Sequence, residues 1–131
     1  MNSWENEGLK LPLGFRYAST YAGIRKQRRD DVALIVADTP ASAAAMFTTN
    51  RVKAAPVTVS MANLKASRGK VRAIVVNAGN ANCATRTGAR VATATCRAAA
   101  EALGCPVNQV LPASTGVIGV ELDASLLVKA M

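Results

Sequence analysis

Histidine is absent from the sequence. That one absence removes the Ser-His-Asp and Cys-His catalytic pairs, the HExxH zinc site and the Cys2His2 finger, because each needs an imidazole as base or ligand. Cysteine is scarce: Cys83, Cys96 and Cys105 are odd in number and far apart, which suggests neither a CxxC metal knuckle nor a paired disulfide framework and fits a reducing compartment. The five aromatics (Trp4, Phe15, Tyr17, Tyr21, Phe47) are too few for the stacking platforms on which single-strand binders lay out bases. No apolar run approaches the roughly 18 residues of a membrane span. Residues 1–13 carry Glu5 and Glu7 before Lys10 and have no apolar stretch, which is wrong for a secretory signal. A cytoplasmic protein without membrane contact is the expectation. Carboxylate pairs spaced for acid/base work are also missing: Asp30 and Asp31 are adjacent in sequence, and Glu121 and Asp123 flank a helix start. Neither a metal site nor a resident cofactor is expected.

What is present is a chain of 131 residues, half of them apolar, with 18% charged. A single domain of that size buries roughly 65–70% of its unfolded surface, so a real core is expected. Sixteen Lys and Arg against eight Asp and Glu give a net charge of +8, which invites a polyanion partner. Position weakens the invitation. The only tight cluster, Arg25, Lys26, Arg28 and Arg29, runs directly into Asp30 and Asp31, and its plainer reading is a solvated turn. An acidic partner chain is the third way to match the excess charge.

Along the chain, residues 15–22 and 31–37 read as strands joined by that charged turn, the second apolar enough to be buried on both faces. Asp38-Thr39-Pro40 reads as a turn that returns residues 43–49 as a third, antiparallel strand. Pro56 suits the first turn of a helix over 56–66, against the β-branched Val57, Thr58 and Val59. Residues 71–77 form the clearest strand. A long helix follows, with Thr87 as its cap, Ala92, Cys96, Ala99 and Leu103 on one face, and Gly104 and Pro106 as its stop. Residues 107–111 read as a short strand running into a loop over 112–119. Asp123 then caps a last helix whose Leu126, Leu127, Ala130 and Met131 make an apolar face without a natural ending, so that a truncated fragment with an uncovered face is expected.

Two segments after strands could hold chemistry. Asn77-Ala78-Gly79-Asn80-Ala81-Asn82 combines amides and a glycine that tolerate left-handed backbone, so it could form an anion-binding nest of N–H groups; the plainer reading is a tight turn held by its own Asx bonds. It matches neither GxGxxG nor GxxxxGK[ST]. Residues 113–119 bring Ser114 and Thr115 next to Gly116. With no histidine to activate a hydroxyl, an oxyanion donor is more plausible there than a nucleophile, and the alternative is a turn of small residues. Cys96 and Cys105 read as core residues, whereas Cys83, near a helix start, is the one thiol placed where its acidity could rise.

The blocks GIRKQRRDDVALIVAD (23–38), MFTTNRVKAAPV (46–57), AIVVNAGNANCATRTG (73–88) and PASTGVIGVELD (112–123) resemble the N-terminal part of the ornithine acetyltransferase family. These enzymes are also called bifunctional glutamate N-acetyltransferase/amino-acid acetyltransferases of arginine biosynthesis. The resemblance implies an α/β (α+β) chain forming part of a four-layer αββα sandwich of the self-cleaving acyltransferase type. It implies transfer of acetyl from N-acetylornithine to glutamate, with acetyl-CoA accepted by some members. It also implies self-cleavage before an internal threonine that becomes the nucleophile of a β chain and uses its own α-amine as base. Thr115 and Gly116 fall on the family's oxyanion pair, and Asn77, Gly79, Asn80 and Asn82 are candidates for an active-site loop. Ala78 stands where the family commonly has serine. The family's cleavage segment lies beyond residue 131, so residues 1–131 correspond to most of one α chain, a single-domain fragment expected to pair with its β chain in an α2β2 heterotetramer and to be inactive alone. The competing reading, from composition, is a non-catalytic basic module for an acidic protein or nucleic acid.

Overall fold

The computed structural model describes residues 12–131; apart from positions 12 and 13, the segment read as lacking a secretory signal lies outside the described residues. In chain order the elements are β1 (Phe15–Thr20), β2 (Val32–Ser42), α1 (Ala55–Ala66), β3 (Lys70–Asn80), α2 (Gly88–Leu103), a 3-10 turn (Val107–Gln109), β4 (Val110–Val117) and α3 (Ala124–Ala130). The strands form one mixed sheet in the order β1-β2-β3-β4. The first three pair antiparallel, and β4 joins β3 in parallel after the α2 crossover. The chain is thus an α/β structure, as expected.

The helices cover one face of the sheet. Along β3, Val71, Ala73 and Val75 are almost fully buried while Ile74, between them, is 36% exposed; alternate side chains of a strand point to opposite faces, so only one side is covered. On that side Val32, Val36, Ala73, Val75 and Val110 pack against Val91, Cys96 and Ala99 of α2 and Leu127 of α3. Strand 32–37 is therefore not buried on both faces along its whole length: on the side away from the helices Ala33 and Ile35 are only half-buried, and only Ala37 is buried there.

Helix α1 forms despite its β-branched run. That run costs a few tenths of a kcal/mol per residue, and two side-chain bonds to carbonyls in β4, at about 1 kcal/mol each, offset it. These are Ser60 Oγ to the Pro112 carbonyl (2.8 Å) and Asn63 Nδ2 to the Val110 carbonyl (2.8 Å). Pro56 lies in the first turn as expected. Helix α2 ends at Gly104, whose φ of 61° lets the Cys105 N–H reach back to the Ala100 carbonyl at 3.0 Å.

Several expectations need correction. Residues 43–49 do not form a strand; β2 instead runs through Asp38-Thr39-Pro40 to Ser42, with a register irregularity between Val36 and Ala41. Pro40 is tolerated there because a bulge asks no ladder bond of it. Val107 opens a 3-10 turn, and the strand begins only at Val110. Thr87 does not cap α2 with its side chain. The final helix is not left uncovered: Leu127 is 2% exposed and Ala130 and Met131 pack against the core. Asp123 does cap it, accepting from the Ser125 N–H at 2.9 Å.

Candidate active site

The two segments expected to be loops are the paired C-terminal ends of β3 and β4. Asn77 lies opposite Ser114, Ala78 opposite Thr115, Gly79 opposite Gly116 and Asn80 opposite Val117. A parallel pair joined by a crossover helix brings both carboxyl ends to one edge, where α/β sheets present ligand sites. The local sequence hid this because each run of small residues finds its backbone partners some forty positions away, beyond any local pattern.

Alternation separates the two hydroxyls. Ser114 shares the helix-covered side with Asn77, and its Oγ donates to Asn77 Oδ1 at 2.5 Å. Thr115 lies opposite Ala78, on the side the helices leave open, and is exposed, as is Gly116. Gly116 has φ 135°, and a Cβ there would sit 2.3 Å from the Gly79 carbonyl carbon and 2.5 Å from the Asn80 nitrogen. Only glycine lets the two strand ends approach so closely.

The asparagines point inward. Asn77, Asn80 and Asn82 are 3%, 5% and 1% exposed. Asn77 Nδ2 donates to the Asn80 carbonyl (2.9 Å), Asn80 Oδ1 accepts from the Asn82 N–H (2.7 Å) and Asn80 Nδ2 donates to the Val120 carbonyl (3.0 Å). Asn82 Nδ2 donates to the Gly88 carbonyl at the start of α2 (2.9 Å). The plainer reading, a tight turn held by its own Asx bonds, needs correction: residues 77–80 end a strand, and although two of the bonds stay within 77–82, the others reach Val120 and Gly88. The asparagines frame the Thr115-Gly116 edge and spend their donors on the chain itself.

Two carboxylates that the sequence reading left without a role brace this edge. Asp31, 2% exposed, accepts from the backbone N–H groups of Ala22 (2.6 Å), Ile24 (2.7 Å) and Arg25 (2.9 Å). It thereby folds the basic turn over Gly79, where an added Cβ would meet Arg25 Cγ at 2.9 Å. Lys26, Arg28 and Arg29 remain exposed, a solvated turn. Glu121, in the segment after β4, accepts from the Arg86 N–H (2.8 Å), the Thr87 N–H (3.3 Å) and the Thr87 hydroxyl. It ties that segment to the start of α2, whose positive end favours a carboxylate. The only signal for Asp31 was an acidic residue at the head of an apolar strand; its partners are backbone groups, which leave no pattern.

Those bonds, the Thr87 hydroxyl first and the Arg86 N–H next, hold the Glu121 carboxyl below its ordinary range. Because the folded group is the stronger acid, its stabilisation is complete above the unfolded carboxylate range and is lost as pH falls through the folded value. Glu121→Gln is therefore expected to lower the urea midpoint at neutral pH, with the gap to the parent protein closing as the solution is acidified. A gap that stays constant with pH would contradict the tie.

Among the thiols, burial pushes Cys96 up to about 12, so it stays protonated in the core. Burial also raises Cys105, partly offset by the nearby Arg72 charge. Cys83 is half-buried beside the site, and its carbonyl accepts from the Gly119 N–H at 2.9 Å.

Comparison with known proteins gives this edge a context. The model of the ArgJ family matches residues 16–131. The arginine biosynthesis bifunctional protein ArgJ of Nitratidesulfovibrio vulgaris is 53% identical over 112 residues, covering 85% of this chain and 28% of that protein. The protein of the same name from Gloeobacter violaceus is 48% identical over 120 residues, 91% of this chain and 29% of its own length. Two solved structures superpose closely. Arginine biosynthesis bifunctional protein ArgJ of Bacillus halodurans gives a TM-score of 0.84 at 36% identity, covering 89% of this chain and 61% of that one. Ornithine acetyltransferase of Mycobacterium tuberculosis, solved with ornithine, gives 0.83 at 37% identity, with coverages of 91% and 64%. The chain spans less than a third of the length of the curated relatives it matches.

Proposed function

The chain belongs to the ArgJ family, and on that footing we propose that it forms the N-terminal part of an acetyltransferase of arginine biosynthesis, moving acetyl from N-acetylornithine to glutamate. In this reading Thr115 and Gly116 are the oxyanion donors. The nucleophile is a threonine outside these 131 residues, freed by self-cleavage as the first residue of a β chain. Its own α-amine takes up the hydroxyl proton, so the chemistry proceeds without histidine.

The observation that carries this reading is the division of labour between neighbouring hydroxyls. Ser114 is committed to Asn77, whereas Thr115 is exposed on the open side of the sheet beside the close Gly79-Gly116 contact. A hydroxyl and a neighbouring N–H fixed at a strand end stabilise a developing oxyanion without titrating, and being already in place they need no reorganisation as charge develops. The open face also supports a partner layer. Tyr17, Ile35, Ile74 and Leu111 lie side by side across all four strands, an apolar row suited to the second sheet of a four-layer sandwich. The β chain of the same precursor is the proposed cover, in an α2β2 assembly located in the cytoplasm. No helix among the described residues is long and apolar enough to cross a membrane. The reading as a basic module for an acidic protein or nucleic acid draws nothing from these relatives.

The test is an assay of acetyl transfer from N-acetylornithine to glutamate. The 131-residue chain alone is expected to give none, and the same segment joined to the family's following segment, the catalytically complete enzyme, is expected to turn over. Turnover by the 131 residues alone would place the nucleophile within them and overturn the reading.

A further inference from the structure

Resting on that reading, we infer that Asn77 is a positioning residue for acyl transfer: its buried amide clamps the ends of β3 and β4 together and thereby aims the Thr115 hydroxyl and the Gly116 N–H. Both halves of the amide are used. Nδ2 reaches past Gly79 to the Asn80 carbonyl at 2.9 Å, and Oδ1 takes the Ser114 hydroxyl at 2.5 Å. The first bond bridges Gly79, whose φ of 103° is one that side chains disfavour, at the last residues of β3. The second holds residue 114 of the neighbouring strand.

Thr115 is therefore fixed from both sides. Before it, Ser114 is anchored through its side chain. After it, Gly116 has no clearance from Gly79 and Asn80, the backbone that Asn77 itself secures, so any movement at residues 79–80 passes directly to Gly116. Asn77 is 3% exposed and lies on the helix-covered side, away from the open face on which Thr115 stands. It acts through its neighbours and does not touch the reacting atoms. Ser114 is by the same geometry an anchor: its proton is donated to Asn77.

The experiment is pre-steady-state acetylation of the catalytically complete enzyme by N-acetylornithine, recording the amplitude and the rate constant separately. Amplitude counts folded, competent sites, and the rate constant reports their alignment. Asn77→Ala is expected to keep an amplitude near one per site while the rate constant falls roughly 10- to 100-fold, the scale of a misplaced catalytic group, with KM changed much less. A normal rate constant with reduced amplitude would show a purely structural role and overturn the inference. Ser114→Ala, which removes a single bond from a half-buried site, should slow acetylation about threefold to tenfold. It also serves if Asn77→Ala does not fold, and a normal rate in Ser114→Ala would then overturn the inference. The Asn77→Ala/Ser114→Ala double variant should be no slower than Asn77→Ala alone, because both break one clamp; additive losses count against it. Thr115→Ala separates the two levels. If it acetylates normally, the oxyanion reading fails whatever Asn77 does; if it is slow while Asn77→Ala is normal, only the positioning role fails.

Discussion

Thr115→Ala in the catalytically complete enzyme is expected to lower kcat by roughly 10²–10³, about 3–4 kcal/mol of transition-state stabilisation, the usual cost of losing one oxyanion donor. Substrate binding should change much less, because the oxyanion exists only in the transition state and the tetrahedral intermediates. The size of the effect follows from where the hydroxyl stands. It is exposed on the open face at the end of β4, whereas its neighbour Ser114 faces the other way and is already bonded to Asn77. Ser114→Ala is the internal comparison and should be far milder. If the order were reversed, with Ser114→Ala severe and Thr115→Ala close to normal in kcat, the assignment of the donor would be wrong.

Gly116→Ala is expected to do more general damage. The added methyl would meet two backbone atoms, the Gly79 carbonyl carbon at 2.3 Å and the Asn80 nitrogen at 2.5 Å, neither of which can swing aside as a side chain would, and the residue sits at φ 135°. Overpacking and the backbone conformation together should cost about 2–5 kcal/mol of stability and open the β3–β4 edge, with loss of turnover in whatever protein still folds. Gly119 provides the contrast: its φ of 79° also disfavours a side chain, but an added Cβ would meet nothing within 4 Å. Gly119→Ala should therefore lose only the conformational term, about 1–2 kcal/mol. Denaturant midpoints of the two variants check this, and equal losses would show that the close approach at Gly116 is not what demands glycine there.

The sequence made the elements with a regular period legible. The β-branched run at 71–77, the helical spacing of Ala92, Cys96 and Ala99 with its Gly104 stop, and the Asp123 cap each carry a local physical signal, and each appears where that signal places it. Less legible were features whose partners are distant. The ends of β3 and β4 are interrupted by Gly79, Gly116 and asparagines, which are depleted in strands, and they are strands because each supplies the other's backbone bonds. Asp38-Thr39-Pro40 carries a strong turn composition, yet β2 absorbs it as an irregularity because its flanks pair with both ends of β3. Thr87 has a capping side chain, but Glu121, thirty-four residues further on, claims that hydroxyl and takes over the helix start. For the site, the resemblance supplied Thr115 and Gly116 by position. What only the structure adds is the reason each stands apart from Ser114: Thr115 faces the other side of the sheet, and Gly116 lies against the Gly79 and Asn80 backbone with no room for a side chain.

If these 131 residues hold the oxyanion and leave the nucleophile to another segment, the acetyl group of the acetyl-enzyme lies outside them, and mapping that group decides the matter. The catalytically complete protein would be mixed with N-acetylornithine, quenched in acid during the first turnover, digested and read by mass spectrometry. The predicted result is acetyl on a threonine outside residues 1–131, appearing far more slowly in Thr115→Ala, with none on Ser114, Thr115 or Cys83. Acetyl carried by any of those three side chains would contradict that division.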